Sequence, residues 1–129
     1  MGDACEMLIA AELTLRGIPA LKVPDLWPEY DVIAQPVGRE PQRVSVKSCA
    51  FKAGSANHIA IRGENFDKFD WLAIVLLDST EDRRRFYIVP AQVALDASYS
   101  AAYRSGRSVR VGDIPKKFAQ YEDNFALVP

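Results

Sequence analysis

Cysteine and histidine are nearly missing from this chain, with two Cys and one His in 129 residues. Cys5 and Cys49 lie far apart with no CxxC spacing and no histidine beside them. They signal neither a disulfide framework nor a structural zinc site, and two free, buried thiols are expected. A lone histidine, His58, excludes His-pair metal sites and makes a Ser-His-Asp arrangement a poor reading. It falls in an aperiodic stretch, 52–63, that reads as a loop, and it is assigned no role. Long apolar runs are also lacking, since none reaches the roughly 18 residues of a membrane span. No basic segment followed by a hydrophobic stretch and a cleavage site opens the chain. The expectation is a cytoplasmic protein with no membrane partner.

Net charge is scarce too: the formal value of -1 argues against a protein that coats nucleic acid by bulk charge. The charge is unevenly spread, however. Residues 1–82 hold 8 Lys/Arg and 13 Asp/Glu, a balance of -5, and residues 83–129 hold 8 and 4, a balance of +4. A local basic face can therefore grip phosphate on a chain that is not basic as a whole. With 49% hydrophobic residues, a chain of this length fits a single domain, 1–129, around one core.

Ala4–Arg16 is rich in helix formers and free of Gly and Pro, with Asp3 as N-cap and Gly17 where a helix should stop. Three short apolar pieces follow, Ala20–Val23, Tyr30–Ala34 and Arg43–Ser48. They read as strands, the last two joined as a hairpin through Gly38–Pro41. A helical turn near Asn65–Phe69 leads into Trp71–Leu77, which reads as a fully buried strand. The charged turn Asp78–Arg84 precedes a strand at Phe86–Val89, and Pro90 opens a second helix reaching about Arg104. Val109 and Val111 alternate like a short strand, and Lys116–Gln120 suits one more helical turn.

Four positions carry the chemistry: Glu6, Asp31, Ser45 and Lys47. On a helical wheel Glu12 and Arg16 sit four apart and pair on a solvated wedge. Glu6 instead shares a face with Ala10, Leu13 and Gly17. Its carboxylate points inward and needs a partner or a metal; the plainer alternative is an N-terminal acid favoured by the helix dipole. Asp31 opens a buried strand, where an acid is costly without compensation, although a strand-entry turn residue also fits. Ser45 and Lys47 share the strand face opposite Val44 and Val46. A lysine there is usually just solvated. Beside two carboxylates around a hard divalent cation, it suits phosphodiester hydrolysis, where the metal offsets developing charge and the amine orients or deprotonates water.

Gly2-Asp3-Ala4-Cys5-Glu6, Tyr30-Asp31-Val32-Ile33 and Val44-Ser45-Val46-Lys47, with the later Trp71–Leu77 and Tyr87–Pro90, resemble the PD-(D/E)XK nucleases, most of all the small bacterial and intron-encoded endonucleases. The resemblance covers roughly the first 90 residues. It implies an α/β, restriction-endonuclease-like core, a mixed central sheet flanked by helices. It further implies DNA as the partner and Mg2+ or Mn2+ as the cofactor, with Asp31 a metal ligand, Glu6 an acid near the same metal, the Val46 carbonyl a further ligand and Lys47 the active-site lysine. Lys52 and Arg62 flank the loop leaving the active-site strand, on the side that faces substrate in this type of fold. Pro24-Asp25 spells the family's dipeptide literally, which keeps Asp25 in play as a second choice for the metal ligand.

Ser45 departs from the family, which carries Glu, Asp or, in the small subgroup, Gln there. Serine supplies no charge, so divalent binding should weaken. Two readings follow: a metal-dependent DNA endonuclease in which the Ser45 hydroxyl coordinates or holds a water, and a nuclease-fold module that binds nucleic acid or protein without cutting. Cutting both strands with one active site per chain favours a homodimer or higher homo-oligomer. Arg83-Arg84-Arg85 reads as a turn between two strands whose arginines either grip phosphates or, more often, are simply solvated, and Tyr99 and Tyr103 read as helix packing positions rather than stacking ones.

Overall fold

The computed structural model describes residues 2–27, 29–52, 57–61, 67–78, 81–100 and 106–129. The chain begins with helix α1, Gly2–Leu15, whose buried residues Cys5, Ile9, Ala10 and Leu13 recur at helical spacing along one face. It stops where expected, because Gly17 adopts φ 91°, a conformation that costs glycine nothing. Strands β1 (Ala20–Lys22), β2 (Val32–Ala34), β3 (Gln42–Phe51), β5 (Trp71–Asp78) and β6 (Arg83–Pro90) form a five-stranded sheet in the order β1-β2-β3-β5-β6. The β3–β5 pair is parallel and the others antiparallel. The β2–β3 hairpin is as expected.

Side chains alternate across this sheet and build two cores. Val32, Ala34, Val44, Trp71, Ala73, Val75 and Ile88 pack under α1 with Phe125 and Leu127 from the C-terminal segment. Leu72, Ile74, Leu76, Tyr87 and Val89 face the other way. That second face is covered by helix α2 (Ala91–Ala97), the short helix α3 (Ile114–Lys117) and a smaller sheet of β4 (His58–Ile61), β8 (Arg107–Arg110) and β7 (Tyr99–Ser100). The starts of β3 and β5 are tied together by the Arg43 guanidinium, which meets both Asp70 oxygens at 3.2 and 3.1 Å, and by the Trp71 indole N–H on Gln42 Oε1 at 2.7 Å. Burial pushes the Asp70 carboxyl up, but the bonds from the Arg43 guanidinium and backbone outweigh it and hold the group below its ordinary value.

Several expectations need correction. The stretch 52–63 is not all loop: His58 opens β4, whose residues alternate exposed and buried and pair with β8. The second helix ends at Ala97, not Arg104. Ser98 turns the chain by bonding back to the Leu95 carbonyl through its N–H and its hydroxyl, and Arg107 grips Ser98 in turn. Tyr99 is thereby an exposed strand residue rather than a helical one. Tyr103 lies outside the described residues, as do residues 65 and 66 of the helical turn expected before Trp71. Arg83-Arg84-Arg85 belongs to β6, because pairing runs on to Asp78↔Arg83. Val111 leaves the strand expected around Val109 and enters a 3-10 turn over 111–113. Both cysteines are free, but only Cys5 is buried; Cys49 is half-buried. Among the described residues no helix is long and apolar enough to cross a membrane.

Ile9 is fully buried between α1 and the sheet, so Ile9→Ala should lower the unfolding free energy by about 2–5 kcal/mol in urea denaturation. Met7→Ala, on the exposed side of the same helix, should stay within about 0.5 kcal/mol of the wild type.

Candidate active site

The site forms where β2 stops pairing with β3. Their register runs from Ala34↔Gln42 to Val32↔Val44 and ends there, while β3 continues beside β5 to Phe51. A strand residue directs its N–H and its C=O to the same edge. The Val46 N–H, on the edge toward β2, donates to Asp31 Oδ2 at 2.7 Å, and the Asp31 N–H donates to the Val44 carbonyl at 2.9 Å. Asp31 is therefore clamped against β3 between Ser45 and Lys47, and the Val46 carbonyl leaves the strand on that same edge. Ser45 is buried and Lys47 half-buried. Their register partners, Leu72 and Ile74, belong to the second core.

Glu6 reaches this place from the other face of the sheet, carried by α1 above Val32 and Val44. Only 17% of its side chain is exposed, and its Oε2 is buried with no hydrogen-bond donor. Burial, then the hydrogen bond to Asp31 and the charge of Asp31, push the Glu6 carboxyl up to about 7; the Lys22 ammonium offsets this only in part. Glu6 and Asp31 thus form an abutting carboxyl pair that resists carrying two negative charges without a cation. An orphaned carboxylate oxygen in such a pair suits a hard divalent ion, as do the neutral oxygens on the adjoining β3 edge. Among the described residues no group of three or more Asp, Glu, His or Cys is placed to hold a metal ion by itself. The Val46 carbonyl and the Ser45 hydroxyl would have to complete the ligand set.

Lys22 was not singled out from the sequence. Its Nζ lies 2.7 Å from Asp25 Oδ1, 3.8 Å from Glu6 Oε2 and 3.9 Å from Asp3 Oδ1. The β1–β2 register places Lys22 opposite Val32, which faces α1, so the lysine turns inward while Leu21 is exposed. A three-residue strand with its apolar residue outward carries no pattern that identifies such a lysine. Asp25, the second-choice ligand, is engaged by Lys22 in an exposed loop. Lys52 stands exposed just past the end of β3, about 16 Å along the strand from Lys47; the structure does not bring it beside the carboxylates. Arg62 lies outside the described residues. Glu12 and Arg16 pair as expected, and the Arg16 guanidinium also stacks 4.2 Å over the Phe125 ring.

Neither a protein-family model nor a curated protein matches the sequence. Solved structures do match. A bacterial homing endonuclease, I-Ssp6803I, aligns with a TM-score of 0.66 at 17% identity, covering 98% of this chain and 88% of that one. Hjc, a Holliday junction resolvase from the archaeal hyperthermophile Archaeoglobus fulgidus, aligns with a TM-score of 0.56 at 16% identity, covering 87% of this chain and 89% of that one. The chain has a restriction-endonuclease-like fold. At these identities the likeness is one of architecture: a mixed central sheet with helices on its faces, as the resemblance of the sequence to the PD-(D/E)XK nucleases implied.

The Glu6 shift has a measurable sign. Its folded value of about 7 lies above the ordinary 4.5, so between those pH values the folded chain holds a proton that the unfolded chain has released. The Glu6 contribution to stability therefore falls as pH rises through that window and is level above it. In metal-free buffer, urea denaturation at pH 5 and pH 7.5 should show a smaller loss of stability with rising pH for Glu6→Gln than for the wild type. Equal losses would contradict the shift.

Proposed function

We propose that this chain is a divalent-metal-dependent DNA endonuclease. The observation that carries the reading is the Asp31 carboxylate, clamped by the Val46 N–H between Ser45 and Lys47, with the buried, donor-less Glu6 Oε2 carried over the same strands by α1, on a restriction-endonuclease-like fold. Glu6, Asp31 and the Val46 carbonyl would hold Mg2+ or Mn2+, with the Ser45 hydroxyl as a neutral oxygen beside them. A cation held there would supply positive charge against the negative charge developing on the phosphodiester oxygens. Lys47 orients the attacking water and helps it lose its proton. Asp31, held by a backbone donor, keeps its oxygens aimed without rearrangement. Lys52 and Arg62 are assigned to phosphate contacts, and two copies of the chain would be needed to cut both strands of a duplex together.

A second reading is favoured by one feature: Ser45 takes an acidic position without a charge, and two carboxylates are fewer than a hard cation usually recruits. On that reading the chain binds DNA or protein through the same fold without cutting.

Nicking of supercoiled plasmid and of branched DNA in Mg2+ or Mn2+ separates the two. The wild type should cut, Asp31→Ala and Lys47→Ala should each lose at least about 100-fold in rate, and Ser45→Glu should cut faster. A wild type that leaves every substrate intact in both metals would sink the endonuclease and leave the binding module.

A further inference from the structure

Lys22 engages Asp25 of the Pro24-Asp25 dipeptide at the margin of the site. Its side chain is 22% exposed, whereas Asp3 and Asp25 beside it are 74% and 75% exposed, so the lysine stem lies against the fold and the two acids meet its ammonium from solvent. Its shortest contact, 2.7 Å, is with Asp25. Toward Glu6 it stops at 3.8 Å, too far to hydrogen-bond, and faces the Oε2 atom that lacks any donor. The lysine therefore puts positive charge beside the carboxyl pair without saturating it. Surface ion pairs alone contribute little. Here the geometry matters through what it does to a third charge.

We propose that Lys22 is a positioning residue, a resident counter-ion for the Glu6–Asp31 pair that is held back by Asp25 and sets how tightly a divalent cation binds there. This rests on the metal site of the preceding reading and adds its regulation. A cation entering beside Glu6 meets the Lys22 ammonium as a like charge a few ångströms away, which opposes binding. Asp25 restrains the ammonium; without Asp25, Glu6 becomes its nearest well-sheltered partner, and the lysine moves onto the oxygen that the metal requires.

Mn2+ binding measured by calorimetry, with folding of each variant checked by circular dichroism, tests this without any activity readout. Lys22→Met should bind Mn2+ about five- to tenfold more tightly than the wild type, and Asp25→Asn about threefold more weakly. In the Lys22→Met background, Asp25→Asn should change nothing further, because Asp25 acts through the lysine. Unchanged or weaker binding by Lys22→Met overturns the proposal, and so does an Asp25→Asn effect of equal size in both backgrounds. Asp31→Ala distinguishes the two layers: if it binds Mn2+ like the wild type, or if neither the wild type nor Lys22→Met binds at all, the metal site itself is wrong and the proposal falls with it.

Discussion

The Val46 N–H has no strand partner on the side of β2, and the Asp31 carboxylate takes it. Backbone donors away from water must be satisfied, so this bond lets β2 end after three residues while β3 runs on for ten. The same bond prevents the carboxylate from turning out into solvent. Its position then forces the rest of the site. Glu6, brought down by the packing of Cys5, Ile9 and Leu13 on the sheet, meets a carboxylate that cannot retreat, and its carboxyl is pushed up to about 7 first by its own burial and then by that neighbour.

The local charge balance depends on three elements that differ in burial. Helix α1 and strand β3 belong to the cores and fix Glu6, Ser45 and Lys47. The loop between β1 and β2 carries Asp25 at its near end, next to Lys22, and leads to Asp31 at its far end; its neck is closed by the Val23 N–H on the Asp31 carbonyl at 2.9 Å. The carboxyl pair is thus held by the packed helix and by a backbone bond to β3, and the cation closest to it is held by an exposed side chain on a loop. That division suits a site whose affinity for a hard cation is set by neighbours as well as by ligands, all the more because Ser45 contributes no charge.

The opposite end of β5 and β6 is built differently. Arg83 pairs with Glu81 at 2.7 Å, and Arg85 with Glu122 at 3.3 Å while lying over the rings of Phe51 and Tyr87. Two of the three arginines in this run are paired with acids, Arg83 in an exposed pair and Arg85 in a more sheltered one, which offsets part of the basic character that the charge asymmetry along the chain suggested for a phosphate-binding face. Tyr87, fully buried beneath Arg85, has its hydroxyl pushed up to about 12, chiefly by burial.

The sequence by itself determined the elements with strong local signals: α1 with its glycine stop, the alternation of β3, the apolar run of β5, and the Glu12–Arg16 pair. These rest on periodicity and backbone preference, which act over a few residues. Glu6 was legible as an inward-pointing acid because its helical face holds no other charge. Tertiary structure alone decided what that acid meets. Strand pairing extended β3 and β6 beyond their apolar stretches, turned His58–Ile61 into a strand, and cut α2 short by drawing Tyr99 and Ser100 onto β8. Lys22 shows the limit most plainly. Its inward orientation comes from the register of a three-residue edge strand, and its partners, Asp3, Glu6 and Asp25, come from two separate elements that only folding brings together.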